Sequence, residues 1–296
     1  MKAASNLPFA APAVSCEICG ASATVWRAKL RFTYHRCAAC NYAFISPDVA
    51  RMVNTHSIYD ADYFSGGGAG YKDYLRESTL LREHGRRYGA LLARYQRPGA
   101  ILDCGAAAGF LLRGYVDTGW TGCGLEPNAK MAKYGREGLG VDVRQGRLEE
   151  LGDVKRFEAI SLVQVVAHIT ELDKALANIA RALKFGGVVL VETWNVASIT
   201  ARLFGSAWHE WSPPSVLRIF SPQALARAFK RHDLSPIAYG RPQKNILAHH
   251  AKSILTYKLP KPLQPLASTV LGAIPDGIKI RYPADDLFWT IFRQDS

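Results

Sequence analysis

Residues 100–112 read AILDCGAAAGFLL, and this stretch decides the fold. Ala100, Ile101 and Leu102 form a short apolar run without alternation, as in a strand buried on both faces. Asp103 closes the run, Gly105 and Gly109 permit a tight turn, and Phe110-Leu111-Leu112 opens an apolar helix. A strand, a small-residue turn and a helix in that order place a ligand site at the carboxyl end of the strand, facing the helix N-terminus.

Working outward, Leu81, His84, Tyr88, Leu91, Leu92 and Tyr95 recur at spacings of three and four. This predicts a helix over 78–95 with arginines on its other face, ended by Pro98-Gly99. Downstream, TGCGLEP (121–127) predicts a second strand, followed by a helix to about Gly138, and VDVRQG (141–146) predicts a third strand. FEAISLVQVV (157–166) predicts a longer fourth strand. Thr170 caps a helix over ELDKALANIARALK (171–184), with Asp173 three residues on and a buried stripe of Leu172, Leu176, Ile179 and Leu183. Gly186-Gly187 stops that helix, and GVVLVETW (187–194) follows as a strand. Strands alternating with helices imply a parallel sheet covered on both faces. An acid about 20 positions beyond the turn, at the end of the second strand, accepts hydrogen bonds from ribose hydroxyls. Glu126, 23 positions after Asp103, fits that role.

The first forty residues carry a different signal. Four of the six cysteines form the pairs Cys16-x2-Cys19 and Cys37-x2-Cys40, with seventeen residues between them. That is the spacing of a four-cysteine zinc site. Gly20 and Asn41 follow the two pairs and tolerate positive φ, and TVWRAKLRFTYHR (24–36) alternates as a small hairpin. Four thiolates close the coordination sphere, so the zinc is structural, and a ribbon this small depends on the metal to fold. Disulfides would require an oxidising compartment. The start, MKAASNLPFAAPAV, has no continuous apolar stretch of the kind that directs export, so zinc and a cytoplasmic location are expected.

In this order the segments resemble the class I S-adenosylmethionine-dependent methyltransferases over roughly residues 85–240. ILDCGAAAG is similar to that family's first motif, GLEPN to the second and QGRLEEL to the third. FEAISLVQVVAHI and ALKFGGVVLVETWN are similar to its fourth-strand and Lys-x-Gly-Gly segments. The resemblance implies an α/β fold: a Rossmann-like methyltransferase sheet, mostly parallel, with helices on both faces and the small zinc ribbon at the N-terminus. DLFWTIFRQ (286–294) is its antiparallel last strand. It implies S-adenosylmethionine as cofactor, held by Asp103, Gly105, Ala107, Gly109, Glu126, Pro127, Gly146, Arg147, Leu148 and Gln164. The turn lies against the methionine part, Glu126 on the ribose, and Arg147 and Leu148 beside the adenine. A dinucleotide dehydrogenase would show glycines in GxGxxG spacing, which this turn lacks.

The cysteine pairs followed by Tyr59, Tyr63-Phe64, Tyr71 and Tyr74 resemble the zinc-ribbon subgroup of that family, with the tyrosines as a lid. Trp208, Pro213-Pro214 and LRIFSPQAL (217–225) are similar to its acceptor-side segment. Three positions depart from the pattern. Ala107 replaces the middle glycine, which a small residue can do where its φ is negative; Ala167 stands in place of a Glu and Val216 in place of a His. The last two exclude a general base at those positions. Methyl transfer to a hydroxyl or carbon acid requires removal of a proton, and histidine titrates near neutrality. His168, just beyond the fourth strand, is the first catalytic candidate and His209 the second, while His84 and His232 sit in helical segments as structural residues. The expected domains are the zinc ribbon over 1–50, an aromatic lid with its leading helix over 51–98, and a methyltransferase core over 99–296. The core carries an acceptor-side insertion near 195–220 and a helical insertion near 243–283, with KSILTYKL and LASTVLGAI as its pieces.

The 296-residue chain is 48% hydrophobic and 21% charged, which excludes wholesale disorder. No apolar run reaches the ~18 residues of a membrane span. The net charge of +12 divides as +6 over 1–100, −1 over 101–200 and +7 over 201–296, so the cofactor motifs lie in the neutral middle. Lys72, Arg76, Arg202 and Arg218 are expected to border an acceptor bearing phosphate or carboxylate. The expected activity is methyl transfer from S-adenosylmethionine to a small, anionic metabolite (a sugar, natural product or lipid-like molecule) by in-line displacement. Two alternatives stand beside it. One is an RNA methyltransferase holding nucleic acid on the ribbon and basic flanks, against which the chain lacks an NPPY motif or a catalytic Pro-Cys pair. The other is a non-catalytic zinc-ribbon adaptor that retains the fold.

Overall fold

The computed structural model describes residues 14–53, 74–208, 210–243, 245–249, 252, 269, 271–282 and 284–295. The expected aromatic lid, with Tyr59, Tyr63, Phe64, Tyr71 and Lys72, lies outside these residues, as does the greater part of the 243–283 insertion, including KSILTYKL beyond Lys252.

The N-terminal strands β1 (Val14–Ser15), β2 (Ser22–Lys29), β3 (Phe32–Cys37) and β4 (Tyr42–Ile45) pair antiparallel in sequence order, with the expected hairpin as β2–β3. α1 (Pro47–Arg51) and α2 (Ser78–Leu92) follow. The alternating unit then runs β5 (Ala100–Cys104), α3 (Phe110–Val116), β6 (Thr121–Glu126), α4 (Ala129–Leu139), β7 (Val143–Gln145), β8 (Phe157–Val163), α5 (Leu172–Ala182) and β9 (Leu183–Trp194). α6 (Ile199–Phe204), β10 (Arg218–Ile219), α7 (Pro222–Lys230), β11 (Leu234–Gly240), β12 (Asn245–Leu247), β13 (Lys279–Arg281) and β14 (Leu287–Gln294) complete the described elements.

The central sheet has the order β11-β14-β9-β8-β5-β6-β7. The five strands from β9 to β7 pair in parallel, and β14 runs antiparallel between β9 and β11. Pleating sends neighbouring side chains to opposite faces. Val189 and Val191 meet Leu176 and Ile179 of α5 and Phe229 of α7 in one cluster. Val188 and Leu190 meet Tyr88 and Leu92 of α2 and Leu112 and Tyr115 of α3 in another. The first cluster also contains Cys16, Cys37, Cys40, Tyr42 and Phe44, so the cysteine ribbon shares the core of the sheet. β10 pairs antiparallel with β4, Arg218 opposite Phe44 and Ile219 opposite Ala43, which adds a fifth strand to the ribbon sheet from the other end of the chain. Among the described residues no helix is long and apolar enough to cross a membrane.

Two local expectations are corrected. Thr170 does not cap α5: Glu171 occupies the cap position, and the Thr170 hydroxyl donates to Glu149 (2.8 Å). Gly186-Gly187 does not end α5 either, because the helix stops at Ala182 and Leu183 already pairs with Phe157 in β9. Ser221 does cap α7, accepting from the Ala224 amide at 3.0 Å.

The contact between α2 and α3 rests on two glycines that the apolar spacing does not mark. The buried face of α2 comprises Leu80, His84, Gly85, Tyr88, Gly89 and Leu92. A Cβ on Gly85 would lie 2.2 Å from the Leu111 carbonyl oxygen, and one on Gly114 2.3 Å from that of Arg82. The two backbones therefore touch, and α3 carries the turn that precedes it to a fixed place over the sheet. Gly85→Val should force the helices apart and cost about 1–3 kcal/mol, the usual range for overpacking. Thermal unfolding checks this: an unchanged midpoint would show that the crossing tolerates side chains.

Candidate functional site

The turn after β5 is built by close approach to β6. The Gly105 and Ala106 amides donate to the Leu125 carbonyl at 2.7 and 3.1 Å. Gly105 and Gly109 have φ of +66° and +83°. Ala107 also lies in the left-handed region, at φ +47°, where a negative value is expected of a residue replacing glycine. That conformation costs roughly 1–2 kcal/mol for a residue with a Cβ. The Ala107 amide donates to Glu126 Oε2 (2.8 Å), which holds the turn in place.

Glu126 ends β6 and is buried. Its Oε1 accepts from the Asn128 amide (2.8 Å), and Asn128 caps α4 through Met131 N (2.9 Å). Pro127 fills the step between them, half-buried. Burial raises the Glu126 carboxyl to about 7, against the lowering effect of the two amides. Asp103 is also raised to about 7 by burial, with the Ser161 hydroxyl (2.5 Å) opposing and Glu126 adding to the rise. Asp103 Oδ2 has no hydrogen-bond partner among the described residues.

The neighbouring strand ends complete one edge. The Gly146 amide donates to the Glu126 carbonyl (3.1 Å) just after β7. Arg147 reaches Thr170 Oγ1 at 2.9 Å and Glu149 at 3.3 Å, and Leu148 is buried. Gln164, just past β8, has φ +60° and donates through Nε2 to Glu192 Oε1 at 2.8 Å. Thus the ten residues expected around the cofactor converge on the carboxyl ends of β5, β6, β7 and β8.

His168 lies beyond β8 in a short 3-10 turn. Its Nδ1 is 2.7 Å from the Ser215 carbonyl oxygen, an acceptor, so the proton sits on Nδ1. Trp194 packs edge-on against the ring at 5.7 Å. Burial lowers its pKa below the ordinary value, opposed by backbone hydrogen bonds to Ser215 and Gln164. His209 lies outside the described residues. Arg218 does not border an acceptor surface. It is 1% exposed, and its charge is met by Glu17 of the ribbon (Nε to Oε1, 2.9 Å).

The apolar spacing does not single out the most connected buried acid, Glu192. Besides Gln164, its carboxylate accepts from Tyr88 OH and lies 3.0 Å from His84 Nε2. The signal for it is a charged residue inside the otherwise apolar run GVVLVETW.

At the ribbon, Cys16, Cys19, Cys37 and Cys40 bring their sulfurs within 4.8 Å of one another. Separations of 3.8 Å (Cys16–Cys40), 3.5 Å (Cys19–Cys37) and 3.7 Å (Cys19–Cys40) far exceed a disulfide bond. They match the edge of a tetrahedron with Zn–S near 2.3 Å, about 3.8 Å. Gly20 and Asn41 take the positive φ expected of them, +73° and +55°. The four thiols are positioned to bind a metal ion, and the donor set fits structural zinc.

Comparison with known proteins places this geometry. A sequence profile described as a methyltransferase domain matches residues 76–239. The ubiquinone biosynthesis O-methyltransferase of Bradyrhizobium sp. (strain ORS 278) is 30% identical over 128 residues, covering 38% of this chain and 51% of that protein. The chain spans about half the length of the curated relatives it matches. Among solved structures, the YcgJ protein of Bacillus subtilis superposes with a TM-score of 0.53 at 18% identity, over 72% of this chain and 99% of that one. The Burkholderia thailandensis 1,6-didemethyltoxoflavin-N1-methyltransferase, solved with S-adenosylhomocysteine, gives 0.51 at 14% identity over 93% and 96%. At these identities the likeness is one of fold.

The ribbon geometry leads to a measurable stoichiometry. Elemental analysis should find one zinc per chain, and Cys37→Ser should reduce it and lower the unfolding temperature. Intact disulfides in non-reducing mass spectra, without metal, would refute the assignment.

Proposed function

The chain belongs to the methyltransferase domain family, and on that premise we propose that it transfers a methyl group from S-adenosylmethionine to a hydroxyl of a small molecule. The carrying observation is the buried Glu126 carboxylate, fastened to Ala107 N and Asn128 N at the carboxyl edge of the sheet. A carboxylate there presents its remaining lone pairs to ribose hydroxyls. The unpartnered Asp103 Oδ2 supports a place for the ammonium of the methionine part beside the Gly105–Gly109 turn. Gly146, Arg147 and Leu148 would line the adenine, and Gln164 would face the sulfur side, oriented by Glu192. When bound, S-adenosylmethionine supplies an electrophilic methyl on a sulfonium, which an oxygen nucleophile attacks in line.

The choice of oxygen follows the O-methyltransferase name of the curated relatives. The anionic acceptor loses one of its supports, because Glu17 already balances Arg218. His168 is the proposed proton acceptor. Burial keeps it neutral and able to take up a proton, with its ring held by backbone hydrogen bonds to Ser215 and Gln164. A zinc set of four cysteines, rather than two disulfides, supports a reducing compartment, the cytoplasm.

Isothermal titration should show S-adenosylhomocysteine binding that Glu126→Ala weakens strongly, and equal affinity in the variant would sink the site. The affinity should depend on pH with a definite sign. In the free protein Glu126 titrates near 7, whereas ribose donors favour its ionised form. Binding therefore releases a proton below pH 7, and affinity should rise by up to about tenfold per unit as pH approaches 7, then level off. Glu126→Gln should reduce that slope, leaving the share contributed by Asp103, which is also raised to about 7. His168→Asn should lower kcat by about 10²–10⁴-fold while leaving S-adenosylhomocysteine affinity intact. Undiminished turnover in that variant would remove His168 from the chemistry.

A further inference from the structure

Arg218 is the largest charge buried outside the site just described, and its partners form a line from the ribbon to the adenine side. Glu17 lies between the ligand cysteines Cys16 and Cys19 and is fixed from three directions. Its backbone oxygen accepts from Arg231 (2.5 Å), Tyr42 OH donates to its Oε1 (2.6 Å), and Arg218 bonds both carboxylate oxygens (2.9 and 3.4 Å). The rest of the Arg218 guanidinium donates to the carbonyls of Ile169 and, at 3.2 Å, Thr170. Those two residues end the loop that begins at Gln164 and carries His168. Thr170 in turn is bonded by Arg147 (2.9 Å) and donates to Glu149, both next to the proposed adenine wall.

We propose that Arg218 is a positioning residue through which the zinc ribbon sets the loop 164–170 and, via Thr170, the Arg147 side of the cofactor site. Arginine suits the task because its planar fork serves a carboxylate and two carbonyls at once, which a lysine ammonium cannot do in one orientation. Glu17 supplies the countercharge that lets the guanidinium stay buried, and the metal fixes the turn on which Glu17 sits. The ribbon thereby contributes to cofactor binding without touching the cofactor. The inference rests on the cofactor reading above.

The experiment compares the metal-loaded wild-type protein with Arg218→Met, the double variant Glu17→Leu/Arg218→Met, and Arg218→Lys. Metal content, melting temperature and S-adenosylhomocysteine Kd are measured for each. Arg218→Met should lower the melting temperature, because it leaves the half-buried Glu17 carboxylate and two buried carbonyls without their donor. The double variant should recover most of that loss, since an apolar pair of similar volume replaces the ion pair. Both should keep one metal per chain yet bind S-adenosylhomocysteine about tenfold more weakly, because the Ile169 and Thr170 carbonyls remain without their donor. Arg218→Lys, which keeps the charge beside Glu17 but cannot reach both carbonyls, should melt between the wild type and Arg218→Met and bind about threefold more weakly. Wild-type Kd in the double variant, or in Arg218→Lys should the double variant not fold, would overturn the proposal and leave Arg218 a purely structural residue. No S-adenosylhomocysteine binding by the wild-type protein would instead overturn the cofactor reading.

Discussion

Buried backbone groups must find partners, and in this protein one extended segment, 215–221, supplies them to three parts of the chain. Arg218 and Ile219 pair with β4 of the ribbon. The Leu217 amide donates to the Ala167 carbonyl (2.9 Å) and the Ser215 carbonyl receives His168, so the loop after β8 is held from the same segment. The Phe220 carbonyl accepts from Val196 N (2.9 Å), which fixes the chain leaving β9. Tyr34 OH donates to the Val216 carbonyl, and Ser221 Oγ to that of Cys40 (2.7 Å). Without this segment the ribbon, the β8 loop and the β9 loop would each expose polar backbone to the core they share.

The site edge follows a second constraint, the cost of buried charge. Asp103, Glu126 and Glu192 all sit near the carboxyl ends of parallel strands, and all are buried. Each is met differently: Ser161 on one oxygen of Asp103, two amides on Glu126, and Gln164, Tyr88 and His84 around Glu192. Glu192 has its partners within the protein, whereas Asp103 keeps an oxygen unpartnered among the described residues. The excess positive charge of the chain plays no part in this edge, and Arg218, one of its members, is spent on Glu17.

Much of the fold was legible because parallel strands and their covering helices leave strong local patterns. The strand-turn-helix of 100–112, the acid at 126 and the paired cysteines needed no distant context. Thr170 was misread because a hydroxyl before a helix pattern is a good cap, and only the nearby Glu149 carboxylate makes a better acceptor for it. Ala107 was misread because the amide bond to Glu126, which stabilises its positive φ, joins residues nineteen apart. Gly85 and Gly114 were invisible to apolar spacing because their contribution is the absence of a side chain.

By itself, then, the sequence determined the alternating sheet, the turn and acid at its edge, and the tetrahedral cysteine set, because each rests on period, spacing or ligand chemistry within a short stretch. The tertiary structure alone decided that the ribbon is joined to the core through β10, that Arg218 turns inward to Glu17, and that Glu192 is the hub of the buried polar network. Those are pairings of residues tens to hundreds of positions apart. They are selected by which buried donors and acceptors the folded chain brings within reach, and no local pattern records that.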